Sequence, residues 1–312
     1  MPDGELQASV QASVQASVIV PVYNGASTLP ALLNALRGQN LAGLGEVELL
    51  FVDNNSTDGS AELIEEFALP NAKVLEERVQ GASAARNRAL AQAHGEVLAA
   101  IDADCLPTRN WLREMVTPFA DPVLLIAAGG LASYPPRTAA QRFAARYGMN
   151  DASRNLKLGP GFANGRNMAV RRSVALEIGG WRVDMPRGED MDFSVRVMDR
   201  YKCAIRFLPR AMAFHQDRAD DESLLQQAYG YGQGLAMMYA RHPDELPWGV
   251  PQRMRRARTT LRRRWGAVRE RVAQRLGRTT PDAAEFAIYL DMWNGEYWRG
   301  FDAERRASRA AR

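Results

Sequence analysis

From Val18 to Ala128 the chain alternates short apolar runs with segments of helical periodicity. Val18–Val22 predicts a first strand. Leu29, Leu32, Leu33 and Leu36, at steps of three and one, then share one face of a helix over Thr28–Arg37. Val47–Val52 predicts a second strand, Gly59–Phe67 a helix and Lys73–Leu75 a short third strand. The alanine-rich stretch Ser83–Ala93 reads as a helix closed by His94-Gly95. Val97–Ile101 predicts a fourth strand, Trp111–Phe119 a helix and Leu124–Ala128 another strand. Strands apolar at nearly every position have no face to offer water. The pattern therefore predicts an α/β fold, a mainly parallel sheet flanked by helices on both sides.

Beyond Ser133 the pattern is less regular. It predicts a helix near Thr138–Tyr147, a Gly/Asn-rich loop over Gly159–Asn167 and a strand at Met168–Val170. A short helix at Ser173–Ile178, a clear one at Met191–Arg200 and strands at Ala204–Leu208 and Ala211–Phe214 follow. The C-terminal part is helical and rich in arginine. At the other end, Gln-Ala-Ser-Val repeats from Gln7, Gln11 and Gln15, and only the third copy runs into the first strand. The expected organisation is a flexible lead-in over 1–15, a domain over 16–242 in two halves (16–133 and 134–242), and a helical appendage over 243–312.

Charge changes this picture at one place. The 312 residues carry a formal charge of +4. Yet Arg253 to Arg278 holds 11 arginines against the single acid Glu270, so an acidic body bears a basic appendage. No apolar run approaches the ~20 residues of a membrane span. The first basic residue is Arg37, which gives no basic leader pattern. Cys105 and Cys203 are too few for a disulfide framework. These features point to a cytoplasmic location rather than a secreted or membrane-spanning one.

Ligands of open parallel sheets bind outside the carboxyl ends of the strands. There the first strand delivers Pro21-Val22-Tyr23-Asn24, the second Asp53-Asn54-Asn55 and the fourth Asp102-Ala103-Asp104. One such end alone is explained by turn formation; three converging ends are a crevice lined with acids. Residues two apart on extended backbone point the same way, so Asp102 and Asp104 can face one hard cation. Magnesium or manganese is commonly held by one or two carboxylates together with diphosphate oxygens. No P-loop, dinucleotide fingerprint or zinc spacing is present.

At these residues the chain resembles the family 2 glycosyltransferases of the GT-A fold. The resemblance runs from about Ala16 to His242. It rests on Val18-Ile-Val-Pro-Val-Tyr-Asn, Phe51-Val-Asp-Asn-Asn-Ser-Thr-Asp-Gly-Ser, Gly81-Ala-Ser-Ala-Ala-Arg-Asn, Ile101-Asp-Ala-Asp and Gly188-Glu-Asp-Met-Asp-Phe. It implies that Pro21, Tyr23 and Asp53 line the base and that Arg86 and Asn87 lie against the nucleotide. Asp102 and Asp104 would take the ribose and the metal-bridged diphosphate, with His215 at a position where some members add a metal ligand. The Glu189-Asp190 pair would hold the catalytic base, Asp190 first and Glu189 as helper. The implied activity is metal-dependent, inverting, single-step transfer from a nucleotide-diphosphate sugar to an acceptor hydroxyl. The Gln-x-x-Arg-Trp motif of processive synthases is absent from the sequence.

The chemistry agrees. A leaving diphosphate must be neutralised, which a metal and Arg86 can do, and the acceptor hydroxyl must lose a proton as it attacks. Glu189-Asp190 opens a helix with Met191, Val195 and Met198 on its apolar face, and a helix N-terminus favours the charged carboxylate. A sugar-phosphate nucleotidylyltransferase is one alternative, although the first strand end lacks the glycine-rich, lysine-bearing loop. A non-catalytic nucleotide-sugar-binding protein or membrane scaffold is another, opposed by the joint presence of Asp53, Asp102, Asp104 and Asp190. The sequence names neither base, sugar nor acceptor; residues 150–187 are expected to shape the acceptor site.

The appendage carries two apolar stripes. Leu261, Trp265, Val268, Val272 and Leu276 form one, and Phe286, Tyr289, Leu290, Trp293, Tyr297 and Phe301 the other. With arginines around them they suit a peripheral hold on an anionic membrane, which would bring the enzyme to a lipid-linked acceptor. The competing reading, that both helices pack on the catalytic domain or join copies in a homo-oligomer, carries more weight, because amphipathic helices of globular chains usually face a core. Nucleic acid is not expected as a partner, since no recognition fold accompanies the arginines.

Overall fold

The computed structural model describes residues 16–157 and 159–310; the expected flexible lead-in lies outside the described residues. One eight-stranded sheet organises the chain. Its strands are β1 (Ala16–Val22), β2 (Val47–Asp53), β3 (Ala72–Glu76), β4 (Val97–Ile101), β5 (Cys105–Pro107), β6 (Ile126–Ser133), β7 (Asn167–Arg171) and β8 (Arg206–His215). Their spatial order is β3-β2-β1-β4-β7-β6-β8-β5. The first four strands pair in parallel, whereas β7 runs antiparallel to both β4 and β6. The mainly parallel, helix-flanked α/β architecture is thus present.

Alternate side chains of β1 enter different cores. Val18, Val20 and Val22 pack with α1 (Leu29–Arg37), α2 (Ser60–Phe67) and α4 (Trp111–Val116) on one face. Ile19, with Leu50 and Val52 of β2, packs on the other face against α3 (Ala82–Gln92), α7 (Arg172–Glu177) and α8 (Glu189–Tyr201). A strand buried on both faces explains the unbroken apolar runs. Two shorter helices, α5 (Ala139–Tyr147) and α6 (Ala152–Asn155), follow β6.

The structure departs from the pattern in three places. Ala204–Leu208 and Ala211–Phe214 belong to one strand, β8, whose partner β6 continues through Gly129-Gly130 with a register shift there. Glycine is required at 129, since a Cβ would stand 2.4 Å from the Asn167 side chain and 2.6 Å from the Ala211 carbonyl oxygen. Asn167 uses that closeness: its amide donates to Gly130 and Ala211 carbonyls and accepts from the Trp111 indole. Asp102-Ala103-Asp104 is not extended but turns, with the Cys105 amide donating to the Asp102 carbonyl.

The third departure is α9 (Asp221–Arg241), a helix of 21 residues running through Gly230, Gly232 and Gly234. Three glycines weaken a helix taken alone. Here Gly232 admits α11 (Pro281–Ala310), since a Cβ there would lie 1.8 Å from the Tyr297 carbonyl oxygen and one on Gly300 2.0 Å from that of Tyr229, while Gly230 and Gly234 admit Arg187. Trp293 is buried with Phe143 of α5 and with Leu224 and Ala228 of α9. The second apolar stripe of the appendage therefore packs on the body of the protein. The first does not: on α10 (Val250–Arg275), Leu261 and Trp265 are 58% and 66% exposed.

Candidate functional site

Parallel pairing sets the ends of β2, β1 and β4 side by side, with Val22 opposite Asp53 and Ile19 opposite Ala100. The turns leaving these strands are tied together by polar side chains. The Asn24 amide donates to Ser56 Oγ, the Thr57 amide donates to Asn24 Oδ1, and Gly25 and Ala26 donate to Ser60 and Asp58. Buried Asn54 donates to the Glu77 and Val79 carbonyls and accepts from the Gly81 amide. The polar run from Asp53 to Ser60 thus builds the rim as well as facing it.

Asp53 accepts from the Ser56 amide through Oδ2, and its buried Oδ1 has no partner among the described residues. Tyr23 stands exposed at the rim, and Pro21 lies within β1. Asn87 is committed elsewhere: its amide group makes a two-way bond with the Trp181 backbone at 2.7 and 2.8 Å.

Arg86 is 2% exposed and bridges the turn after β4 to the start of α8. It donates to Asp102 Oδ1 at 2.9 Å and to Glu189 Oε1 at 3.1 Å. A Cβ on Gly165 would sit 2.8 Å from its guanidinium carbon, so that glycine floors the ion pair. The Gly165 amide also donates to Asp190 Oδ2, and the Met191 amide to Asp190 Oδ1. Burial raises the affinity of Glu189 for its proton, and the neighbouring charge of Asp190 raises it further against the pull of Arg86. Asp190 is also raised, by burial, despite its two amide donors and Arg86. The helix start was expected to favour the charged form; desolvation of the site outweighs it.

Asp104 turns the other way, so the two carboxylates of the turn serve different partners. Asp104 Oδ2 lies 3.4 Å from His215 Nε2, and His215 Nδ1 lies 3.2 Å from Asp217 Oδ1. Burial opposes ionisation of Asp104, but His215 and Arg166 prevail and bring it down to about 2. Burial and Arg166 lower the imidazole, while Asp104 and Asp217 overcome them and raise it. Cys105, buried beside Asp104, is pushed well up by burial and by the acidic charges, which leaves an inert thiol.

Among the described residues no group of three or more His, Cys, Asp and Glu side chains is arranged to hold a metal. A divalent ion shared with a diphosphate needs fewer protein ligands. Asp104 and His215 form such a partial set, and Asp217 orients the ring as an outer partner does in metal sites. The residues fit a metal completed by substrate oxygens.

Sequence reasoning missed Arg166. It donates to Asn164, Asn150 and Tyr231, lies 3.2 Å from His215 Nε2, and feels the charges of Asp102 and Asp104. Asp192, the last acid of the Gly188–Phe193 motif, is wholly buried against Arg196 and His242 and anchors α8. Below it the buried face of α8 is chiefly Phe193 and Val197; Val195 is buried in a methionine cluster that Met191 and Met198 only border.

The sequence model of glycosyl transferase family 2 matches residues 17–179. The glycosyltransferase AglE of Haloferax volcanii is 30% identical over 71% of this chain and 73% of its own length. A pre-mycofactocin glycosyltransferase of Mycobacterium tuberculosis is 27% identical over 73% of this chain, which spans 48% of that relative. Among solved structures, the mannosyltransferase PcManGT of Pyrobaculum calidifontis, in complex with GDP-Man and Mn2+, superposes with a TM-score of 0.56. It is 20% identical, over 96% of this chain and 76% of that one. Glucosyl-3-phosphoglycerate synthase of Mycobacterium tuberculosis, with Mn2+, UDP and glucosyl-3-phosphoglycerate, gives 0.55 at 18% identity over 74% of this chain and 81% of its own. The fold is that of the GT-A glycosyltransferases. The chain belongs to glycosyl transferase family 2 and is an enzyme of that class.

Proposed function

We propose, from that family membership, that the chain transfers a sugar from a nucleotide-diphosphate donor to an acceptor hydroxyl, once per encounter and with inversion. One observation carries the reading: Arg86 bridges Asp102, in the turn after β4, to Glu189 at the start of α8, and the acids on either side of that bridge differ, Asp104 being lowered and Glu189 and Asp190 raised. The nucleotide-binding half is residues 16–133 and the acceptor half 134–242. Asp53 offers its unpartnered Oδ1 to a ring N–H of the base, with Tyr23 and Pro21 beside it. Asp102 keeps one oxygen on Arg86 and presents the other to the ribose. Asp104 and His215 hold a manganese or magnesium ion, which when bound supplies Lewis-acid neutralisation of the leaving diphosphate.

Asp190 takes the acceptor proton. Its two amide donors fix the carboxylate, and its raised proton affinity suits a general base better than an ordinary aspartate. Glu189 lies against Arg86 and positions the loop. Arg86 is occupied by two carboxylates, so its part in neutralising the diphosphate is long-range, shared with half-buried Arg166. Attack by a deprotonated oxygen on the face opposite the leaving group inverts the anomeric carbon.

Calorimetric titration with UDP and GDP, each with and without Mn2+, tests the donor side. Tight binding of one of them that depends on Mn2+ is expected; binding indifferent to Mn2+ would remove the metal from the scheme. Proton NMR of the first product then reads the anomeric configuration, and retention would sink Asp190 as base.

A further inference from the structure

The apolar face of α10 points away from the protein. At ~100° per residue, Met254, Leu261, Trp265, Val268, Val272 and Leu276 fall within an arc of about 80°. All six are exposed, Met254 and Leu276 both at 61%. The opposite face holds the helix in place. Arg256 pairs with Asp302 of α11 and lies over the Trp298 ring at 4.5 Å. Arg263 donates to Asn294, whose amide donates to Thr260, and Ala267 is buried. A helix docked by its polar and small side chains, with its leucines and tryptophan turned outward, reverses the usual arrangement.

Charge decides what covers that face. Arg255, Arg258 and Arg262 border the stripe on one side and Arg264, Arg271 and Arg275 on the other, all exposed. The ion pairs of α10 among the described residues are Arg256–Asp302 and Arg269–Glu270, which leaves these six arginines without an acid. Beside the stripe, a cleft of about 740 Å³ opens between α10 and α11, lined by Arg253, Arg264, Arg299, Arg305, Trp248 and Trp298 among others; Leu261 belongs to both surfaces. Arginine crowding there is such that burial and the charges of Arg309 and Arg253 lower Arg305 below its usual range.

We propose that α10 and the cleft beside it dock the enzyme on the surface of an anionic phospholipid bilayer. Leucine, tryptophan and valine side chains enter the headgroup boundary, the bordering arginines meet lipid phosphates, and the cleft takes phosphates next to Leu261. A second copy fits poorly, because it would set one arginine-rich helix against another. A nucleic acid has no use for six outward apolar side chains. No helix among the described residues is long and apolar enough to cross a membrane, so the contact is peripheral. Because α11 packs on α9, and α9 gives Tyr231 to Arg166 of the site, the platform is mechanically continuous with the cleft. The inference stands independently of the donor reading.

Full-length protein is sedimented with vesicles of phosphatidylcholine alone or mixed 3:1 with phosphatidylglycerol. Wild type is expected in the pellet only with the anionic vesicles, and to leave it as salt rises. Leu261→Ser with Trp265→Ser, both exposed, should leave the melting temperature in place and lower pelleting at least about tenfold. Arg258→Gln, Arg262→Gln and Arg264→Gln together should lower it about a hundredfold. Undiminished pelleting of the serine variant would overturn the proposal, since charge alone would then explain the binding. So would absence of wild-type pelleting with the anionic vesicles; tight binding of a 20-base-pair DNA duplex, or a concentration-dependent dimer that the serine variant abolishes, would then identify the occupant instead.

Discussion

Two acid clusters flank the turn after β4, and each is shifted from the ordinary carboxylate range, in opposite directions. At the end of β4, Asp104 is held down to about 2, because His215 and Arg166 outweigh its desolvation. At the start of α8, Glu189 and Asp190 are raised, because burial and their mutual repulsion outweigh Arg86 and the backbone amides. The difference lies in the ratio of cations to acids. Asp104, a single acid, feels His215, Arg166 and Arg218, whereas Glu189 and Asp190 share Arg86, which Asp102 already uses, with Arg166 adding only to the pull on Asp190. An acid meant for a metal must stay ionised; an acid meant to receive a proton must want one. Counting partners therefore assigns roles that residue type alone leaves equivalent.

The largest test replaces one acid at a time. Asp190→Asn should lower turnover ~10²–10⁴-fold and leave nucleotide affinity nearly unchanged. Asp104→Asn should lower turnover by about 10³-fold or more and abolish the response of nucleotide binding to Mn2+. Nucleoside diphosphate release and calorimetry read the two effects. If both variants lose Mn2+-dependent binding alike, the division of labour is wrong.

Next in size is Arg86. Arg86→Met leaves two half-buried carboxylates without their cation, a loss of about 1–3 kcal/mol in urea unfolding. Adding Glu189→Gln should recover part of it, since one stranded charge is removed. Strict additivity of the two changes would show that the bridge does not couple the turn after β4 to the start of α8.

A smaller effect carries opposite signs in the two clusters. A carboxyl lowered in the folded state stabilises it above the unfolded value near 3.9, so metal-free Asp104→Asn should lose on the order of 2 kcal/mol at neutral pH. A raised carboxyl burdens the folded state at neutral pH, so Asp190→Asn should gain stability while losing activity. Melting scans in chelator should move down for the first and up for the second, by about 2–4 °C for each kcal/mol. Shifts of the same sign would break the comparison.

The strands around the candidate donor side were legible because their signals are local and repeated. All-apolar runs mark strands buried on both faces, and Asp53, Asp102 and Asp104 stand directly after such runs. Arg166 was not legible: it is one arginine among 37, made special by Asn150, His215 and Tyr231, which the fold gathers from three distant segments. Helix α9 was hidden by glycines that prove to be points of close approach, Gly232 for α11 and Gly230 and Gly234 for Arg187. The proton affinity of Glu189 and Asp190 was misjudged for the same reason. A helix start is visible in sequence, whereas the burial that overrides it, against Arg86 and the Gly165 amide, exists only in the folded chain. Within the appendage the stripes of α10 and α11 read alike, and only packing shows that one is buried and the other is not.

The subtlest prediction concerns pH. The base works deprotonated, so turnover must fall as pH drops through its folded-state value. Burial raises that value for both Glu189 and Asp190, which places the acid limb of kcat above the ordinary carboxylate range near 4. Because the two acids repel, they titrate as a pair, and the limb reports the pair rather than either residue. Glu189→Gln removes the neighbouring charge from Asp190 while preserving shape, so the limb should move toward lower pH. The same variant releases Arg86 from one of its two carboxylates, leaving Asp102 and Asp190 to share its charge, which shifts the limb in the same direction. His215 titrates on the metal side and does not enter this comparison when Mn2+ is saturating. An acid limb that stays in place in Glu189→Gln would show that the base is not coupled to Glu189, and Asp190 would lose its assignment.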